Sequence, residues 1–212
     1  MKNTLILLCL LSISSFGFSQ DVRFGFTVSP TFGFTNVEPS NNNQVDGISY
    51  TEDTDGNVGI VYGALVDFDF TGEDRYFFHS GLTMHHTSMD VETVGEAPGN
   101  NATKVNFNYL EIPMTLKLRT NDIGYLRYFG QFGVNNGIKV GDKVEGGAAN
   151  GTTDIGSYNA SLNMGGGVEY TISDDTDLVA GAYYNNGFSN VLDSSAGTVK
   201  HNALGIRLGV YF

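Results

Sequence analysis

The sequence predicts an all-β fold, namely an eight-stranded antiparallel up-and-down transmembrane β-barrel. Three observations support this prediction. Apolar residues alternate with small or polar residues in eight separate stretches, the connections between these stretches are alternately short and long, and only 16 % of the 212 residues are charged. Since a strand points successive side chains to opposite faces, the alternation indicates strands with one apolar face each.

The N-terminal segment, residues 1–19, differs from the rest and is interpreted as a secretory signal peptide. Lys2 supplies a positive start, Leu5 to Leu11 form an apolar core too short to span a bilayer, and small residues precede the expected cleavage site. Residues 20–212 are expected to form one outer-membrane β-barrel domain. Because the only cysteine, Cys9, lies in the segment that is removed, the mature domain is expected to hold no disulfide and no thiolate metal site.

The first strand of the mature chain shows the pattern most clearly. Between residues 22 and 34, one parity carries valine, phenylalanine and proline, while the other carries arginine, glycine, serine and threonine. The same period of two recurs seven times, less cleanly in the third and seventh stretches. The predicted strands cover residues 22–34, 58–70, 76–90, 104–119, 125–138, 157–172, 177–188 and 199–212.

The connections predict how the barrel is oriented. They are short after the second, fourth and sixth strands, and they are long and rich in Asn, Asp, Gly and Ser after the first, third, fifth and seventh. Outer-membrane barrels have short periplasmic turns and long outer loops, so both termini are expected on the periplasmic side. An aromatic girdle is expected near the periplasmic ends, formed by Phe68, Phe70, Tyr76, Phe78, Tyr128 and Tyr170.

The polar face of the strands distinguishes a membrane barrel from a soluble, ligand-binding barrel whose apolar face points inward. A water-exposed face would be dense in Lys and Glu, whereas this one is mostly Gly, Ser, Thr and Asn, as in the crowded interior of a small barrel. The few charges on this face are expected to pair inside the lumen and plug it, because unpaired buried charges are costly. This predicted interior charge network consists of Arg23, Asp67, Asp69, Glu111, Lys117, Arg119, Arg127, Glu169 and Arg207.

One weak catalytic pattern lies on the apolar parity near the outer ends of the third and fourth strands. His86 and Ser88 are two residues apart, and Asn106 and Asn108 share their face on the neighbouring strand. In a lipid hydrolase, such a His would take the Ser proton and a polar neighbour would orient the imidazole. A solvated barrel rim explains the same residues more simply, so no catalytic residue is predicted.

Metal and cofactor sites are not predicted. His85 and His86 are adjacent and point to opposite faces, which makes a shared metal difficult. His79 and His201 are isolated in the sequence. The formal net charge of −12 argues against nucleic-acid binding, and the acidic outer loops leave loose divalent-cation binding as an alternative to a solvated surface. The expected partners are outer-membrane lipid and lipopolysaccharide.

A ten-residue stretch in the fourth strand carries a family resemblance. Residues 109–118, Tyr-Leu-Glu-Ile-Pro-Met-Thr-Leu-Lys-Leu, resemble the recurrent motif of the PorT-like outer-membrane barrel family, and the final Leu208 to Phe212 also fits. The resemblance implies an eight-stranded barrel with no established enzymatic activity and a possible connection with protein secretion or other envelope proteins. In this stretch, Glu111 and Lys117 are expected to point inward, and Pro113, which has no ladder donor, is expected at a bulge.

The function predicted from the sequence is that of a monomeric, non-enzymatic outer-membrane barrel with a structural or protein-interaction role. A small pore for solutes is the first alternative, and a lipid hydrolase using His86 and Ser88 is the second. Fold alone does not choose among them.

Overall fold

A computed structural model of the chain has eight strands and confirms the predicted fold class. It describes residues 22–39, 57–93, 101–145, 156–173, 175–189 and 197–212. The strands are β1 (Val22–Pro39), β2 (Asn57–Asp69), β3 (Tyr76–Thr93), β4 (Asn101–Arg119), β5 (Leu126–Glu145), β6 (Tyr158–Ser173), β7 (Thr176–Gly187) and β8 (Gly197–Tyr211). The predicted signal peptide, residues 1–19, and most of each long connection lie outside the described residues.

Each strand pairs antiparallel with its neighbours in the sequence, and β1 also pairs with β8, so the sheet closes on itself. The three short turns lie at one end of the barrel, which we call the short-turn end, and the other end is the loop end. Val22 pairs with Phe68 and Gly25 pairs with Tyr211, which places the start of β1 and the end of β8 at the short-turn end. No helix in the described ranges is long and apolar enough to cross a membrane.

Several strands continue past their predicted limits at the loop end. β5 reaches Glu145 instead of residue 138, and β1 reaches Pro39 instead of residue 34. The alternation of apolar and polar residues fades there, although the backbone ladder continues. Periodicity detects a strand only where its two faces meet different surroundings, so it underestimates the length of strands that extend beyond the apolar band.

The two faces of the sheet differ as the sequence predicted. Outward side chains are apolar and exposed, with Phe24 and Phe26 at 62 % and 60 %, whereas inward side chains such as Phe77 are fully buried. The predicted aromatic residues do lie at the short-turn end, where Phe68 contacts Phe78 and Phe70 contacts Tyr76.

Gly205 and Pro113 are two positions where the residue type affects the strand backbone. A Cβ on Gly205 would lie 2.3 Å from the ring of Tyr183, so the glycine makes room for this inward aromatic side chain. Pro113 is not at a bulge, contrary to the prediction: it pairs with Asn135, and β3 and β4 keep one register on both sides of it. The missing N–H of proline removes a ladder bond without requiring an extra residue, and the register shift of β4 lies between Asn108 and Tyr109.

Candidate functional site

The lumen near the short-turn end holds a connected set of ion pairs, here called the charge network. Its centre is Glu169 on β6, a buried carboxylate that contacts three cations from two other strands, β1 and β4. Lys117 Nζ lies 2.5 Å from one oxygen, and Arg119 and Arg23 donate to the other at 2.9 Å and 3.3 Å. The members of the network are Arg23, Asp67, Lys117, Arg119, Arg127, Glu169 and Asp177.

Lys117 links this centre to a second buried carboxylate. Its ammonium donates to Asp67 at 2.7 Å and lies over the ring of Tyr211, 4.6 Å from the centroid. Asp67 also contacts Nδ1 of His79 at 2.5 Å. Nδ1 of His79 on β3 is also 3.3 Å from the hydroxyl of Tyr211 on β8. With His79 and Tyr211 attached in this way, all eight strands are connected to the network.

At the short-turn mouth, the network includes one acid that parity arguments overlooked. Asp177, the second residue of β7, accepts hydrogen bonds from Arg23 and, at 3.1 Å, from Arg127. Arg127 also donates to exposed Asp122 in the β4–β5 turn, and this hydrogen bond lowers the pKa of Asp122 below its usual value. Asp177 is the first residue of the predicted seventh strand and has the inward parity, but it was not included in the predicted charge network.

Three residues predicted for this network are buried but lie outside it. Asp69 accepts hydrogen bonds from the backbone of Thr71, Gly72 and Asp74 and so stabilises the β2–β3 turn. Glu111 lies further toward the loop end. Arg207 donates to Gln131 at 2.5 Å and stacks on Tyr183, 5.2 Å from the centroid.

The middle of the lumen is crossed by a chain of side-chain amides. Gln131 donates to Asn163 at 2.5 Å, and Asn163 donates to Asn185 at 2.6 Å, linking β5, β6 and β7. Beside them is a cavity of about 20 Å³, bordered by Glu111 and Arg207 among others. Such a space holds about one or two water molecules, so the lumen at this level is filled by side chains.

Near the loop end, the interior changes character. Glu111 accepts hydrogen bonds from Nδ1 of His85 and from Asn135, each at 2.8 Å. His201 of β8 lies across the lumen with its ring centroid 6.1 Å from that of His85. We call these four residues, His85, Glu111, Asn135 and His201, the outer polar layer. His201 is therefore not isolated in the fold, contrary to the inference from its position in the sequence.

The rim residues flagged as catalytic candidates lie on the outside of β3 and β4. His86 is hydrogen-bonded through Nδ1 to Asn108 at 2.5 Å and through Nε2 to the hydroxyl of Tyr62 at 3.0 Å. The Tyr62 ring stacks on the imidazole at 5.4 Å. Ser88 pairs with Asn106 one step further along the ladder, so it is Asn108, not Asn106, that orients the imidazole.

Comparisons with known proteins agree with this architecture. The family described as "Outer membrane protein beta-barrel domain" matches residues 18–193. Among solved structures, the outer membrane protein OprG from Pseudomonas aeruginosa has a TM-score of 0.52 at 12 % identity, covering 93 % of this chain and 98 % of that chain. Neisserial surface protein A has a TM-score of 0.49 at 11 % identity, covering 89 % and 95 %. No curated protein sequence gives a significant match.

At 12 % identity, the OprG structure shows a shared fold and nothing about activity. The family match covers most of the chain and agrees with the closed antiparallel sheet and its apolar outer face. The chain belongs to the outer membrane protein beta-barrel domain family and is a β-barrel protein of the bacterial outer membrane.

Proposed function

We propose that this chain is a closed, monomeric, non-enzymatic barrel that acts as a structural or protein-interaction component of the outer membrane. The charge network supports the proposal, because its ion pairs join residues of six strands across the lumen. Lys117 and Glu169, at its centre, are 1 % and 0 % exposed. Opening a path for solutes would separate buried charges from their partners, which is costly.

In this proposal, the loop end is the interaction surface. With the short turns and termini in the periplasm, the long connections face outward, where lipopolysaccharide and envelope proteins are the available partners. The expected orientation is tested with an epitope tag in the β3–β4 connection and another after residue 212. Only the tag in the connection should react with antibody on intact cells.

Conductance across a planar lipid bilayer tests closure. The refolded wild-type protein should give no discrete current steps. The matched variants are Glu169→Ala, which leaves three cations without their shared carboxylate, and Asp122→Asn, which changes only an exposed ion pair. Discrete current steps in the wild-type protein would contradict a closed lumen and favour the solute pore.

The proposal also includes a connection with protein secretion. Its support is the stretch Tyr109 to Leu118, which resembles the PorT-like motif. Deletion of the gene should reduce the secreted proteins of the host, and cross-linking through the loops should capture envelope proteins. An unchanged set of secreted proteins would remove this part and leave the structural role.

The non-enzymatic part rests on the rim geometry. Both ring nitrogens of His86 already have partners, and neither partner is Ser88. The purified protein should therefore show no phospholipid hydrolysis above a detergent blank. Hydrolysis that is abolished by Ser88→Ala, with folding intact, would identify a lipid hydrolase instead.

A further inference from the structure

His201 is a buried imidazole whose surroundings do not satisfy its hydrogen bonds. Only 6 % of the residue is exposed, and neither Nδ1 nor Nε2 has a hydrogen-bond partner among the described residues. One edge of the ring lies against Gly33 of β1, and Phe107 of β4 packs edge-on at 5.9 Å. Buried polar groups are nearly always paired, so two unpartnered nitrogens on one ring point to a water molecule or an ion at this position.

His85 faces the same space and is held in a defined orientation. Its Nδ1 donates to Glu111 at 2.8 Å, and Asn135 donates to the other carboxylate oxygen at the same distance. The opposite nitrogen, Nε2, is buried without a partner. A carboxylate that fixes one imidazole nitrogen leaves the other as a lone-pair donor, which is the usual support of a metal-bound histidine.

The spacing of the two rings is within reach of one shared ion. A Zn–N bond is about 2.1 Å and an imidazole nitrogen lies about 1.1 Å from its ring centre, so two imidazoles on one ion have centroids about 5.2 Å apart at a tetrahedral angle and at most about 6.4 Å apart. The observed separation is 6.1 Å, so the two rings would close by about 1 Å around a tetrahedral ion. The hydroxyls of Thr31 and Thr87 are also buried without partners, and both residues adjoin Gly59 on the intervening strand.

We propose that the outer polar layer binds one divalent transition-metal ion of the zinc class through His85 Nε2 and a ring nitrogen of His201. Imidazole ligands favour Zn²⁺, Cu²⁺ and Ni²⁺ over Mg²⁺ and Ca²⁺, which prefer oxygen. Within the described residues, no set of three or more His, Cys, Asp or Glu side chains is placed to bind a metal, so water supplies the remaining ligands. Glu111 does not bind the ion itself; its carboxylate, hydrogen-bonded to His85, compensates part of the positive charge of the ion.

Binding of Co²⁺ and Zn²⁺ to the refolded, tag-free protein in detergent tests this proposal. Calorimetry with Zn²⁺ should give one site per chain, and Co²⁺ should give visible absorption bands that Zn²⁺ abolishes. His85→Gln and His201→Gln should each weaken binding at least tenfold, and Glu111→Gln should weaken it about 10- to 100-fold. The matched control is His86→Gln, because it removes the adjacent imidazole on the other face of β3.

Three results would overturn the proposal. The first is the absence of saturable binding by the wild-type protein. The second is equal binding by all variants, which would place the ion on the acidic surface. The third is loss of binding in His86→Gln alone. If a lumen variant fails to show the heat-dependent gel shift of a folded barrel, the wild-type protein still provides a test. Of its four histidines, Zn²⁺ should shift the ring ¹⁵N resonances of two and leave the other two unchanged.

Discussion

The two ends of the lumen differ in how completely their buried polar groups are paired. Near the short turns, Nδ1 of His79 is paired with Asp67, which is paired in turn with Lys117, and Nε2 of His79 has no partner in the described structure. Near the loops, His85 is likewise paired through Nδ1 only, and neither nitrogen of His201 has a hydrogen-bond partner in the described structure. We call the short-turn end the satisfied half, because ion pairs dominate it, and the loop end the unsatisfied half, because it holds an imidazole with no partner on either nitrogen. Substitutions that compare the halves should test this difference.

The largest effect is expected at the centre of the satisfied half. Glu169→Ala leaves Lys117, Arg119 and Arg23 without their shared carboxylate, so the free energy of unfolding should fall by about 3–5 kcal/mol. Urea titration in lipid vesicles, followed by the gel shift on boiling, measures it. A loss below about 1 kcal/mol would mean that water reaches the network.

A steric effect is expected at Gly205, where the ring of Tyr183 lies against the strand backbone. Gly205→Ala places a methyl group 2.3 Å from the Tyr183 ring and should cost about 1–3 kcal/mol in the same titration. The control is Gly130→Ala, since the nearest atom to its Cβ would be a carbonyl oxygen 4.0 Å away. Equal effects of the two substitutions would show that strand propensity, not packing against Tyr183, sets the cost.

The same substitution should destabilise the barrel in the satisfied half and should not destabilise it in the unsatisfied half. His79→Leu removes a partner of Asp67 and should destabilise the barrel by about 1–3 kcal/mol. His201→Leu removes two unpartnered nitrogens and, with a chelator present, should leave stability unchanged or raise it by about 1 kcal/mol. Comparable destabilisation by both variants would contradict the contrast between the halves.

The smallest effect is expected at the exposed end of the network. Asp122→Asn breaks a surface ion pair with Arg127 and should cost less than about 1 kcal/mol at neutral pH. Because Arg127 lowers the pKa of Asp122, this contribution is present above the pKa of the unfolded chain, about 3.9, and is lost as the pH falls below it. Wild-type and variant stabilities should therefore converge in acid.

Much of this architecture could be predicted because alternation carries direct physical information. A lipid-facing parity must be apolar, so the eight strands and the inward direction of residues such as Glu169 and Lys117 follow from period two. The grouping of inward residues depends on how far each strand is staggered against its neighbours, and parity does not contain that information. Glu111 was therefore assigned to the wrong neighbours, although its direction was predicted.

The outer polar layer was missed for the same reason. His85 and His201 are far apart in the sequence and meet only because β8 closes against β1 and sends a side chain across the lumen. The signal that was available is an inward-parity histidine on each strand near the loop end. Only the register of the closed sheet shows that the two lie at the same height.

The distribution of the charge network over six strands, with His79 and Tyr211 connecting the other two, constrains how the barrel is assembled. An open sheet inserted strand by strand would present Lys117 and Arg119 to hydrocarbon, where ionised side chains are strongly disfavoured. Arg23 comes from the first strand and Asp177 from the seventh, so their pair exists only once the chain has curled around almost completely. Insertion of this chain is therefore expected to be concerted, with the sheet curled before its polar face leaves water and the contact between β1 and β8 formed last.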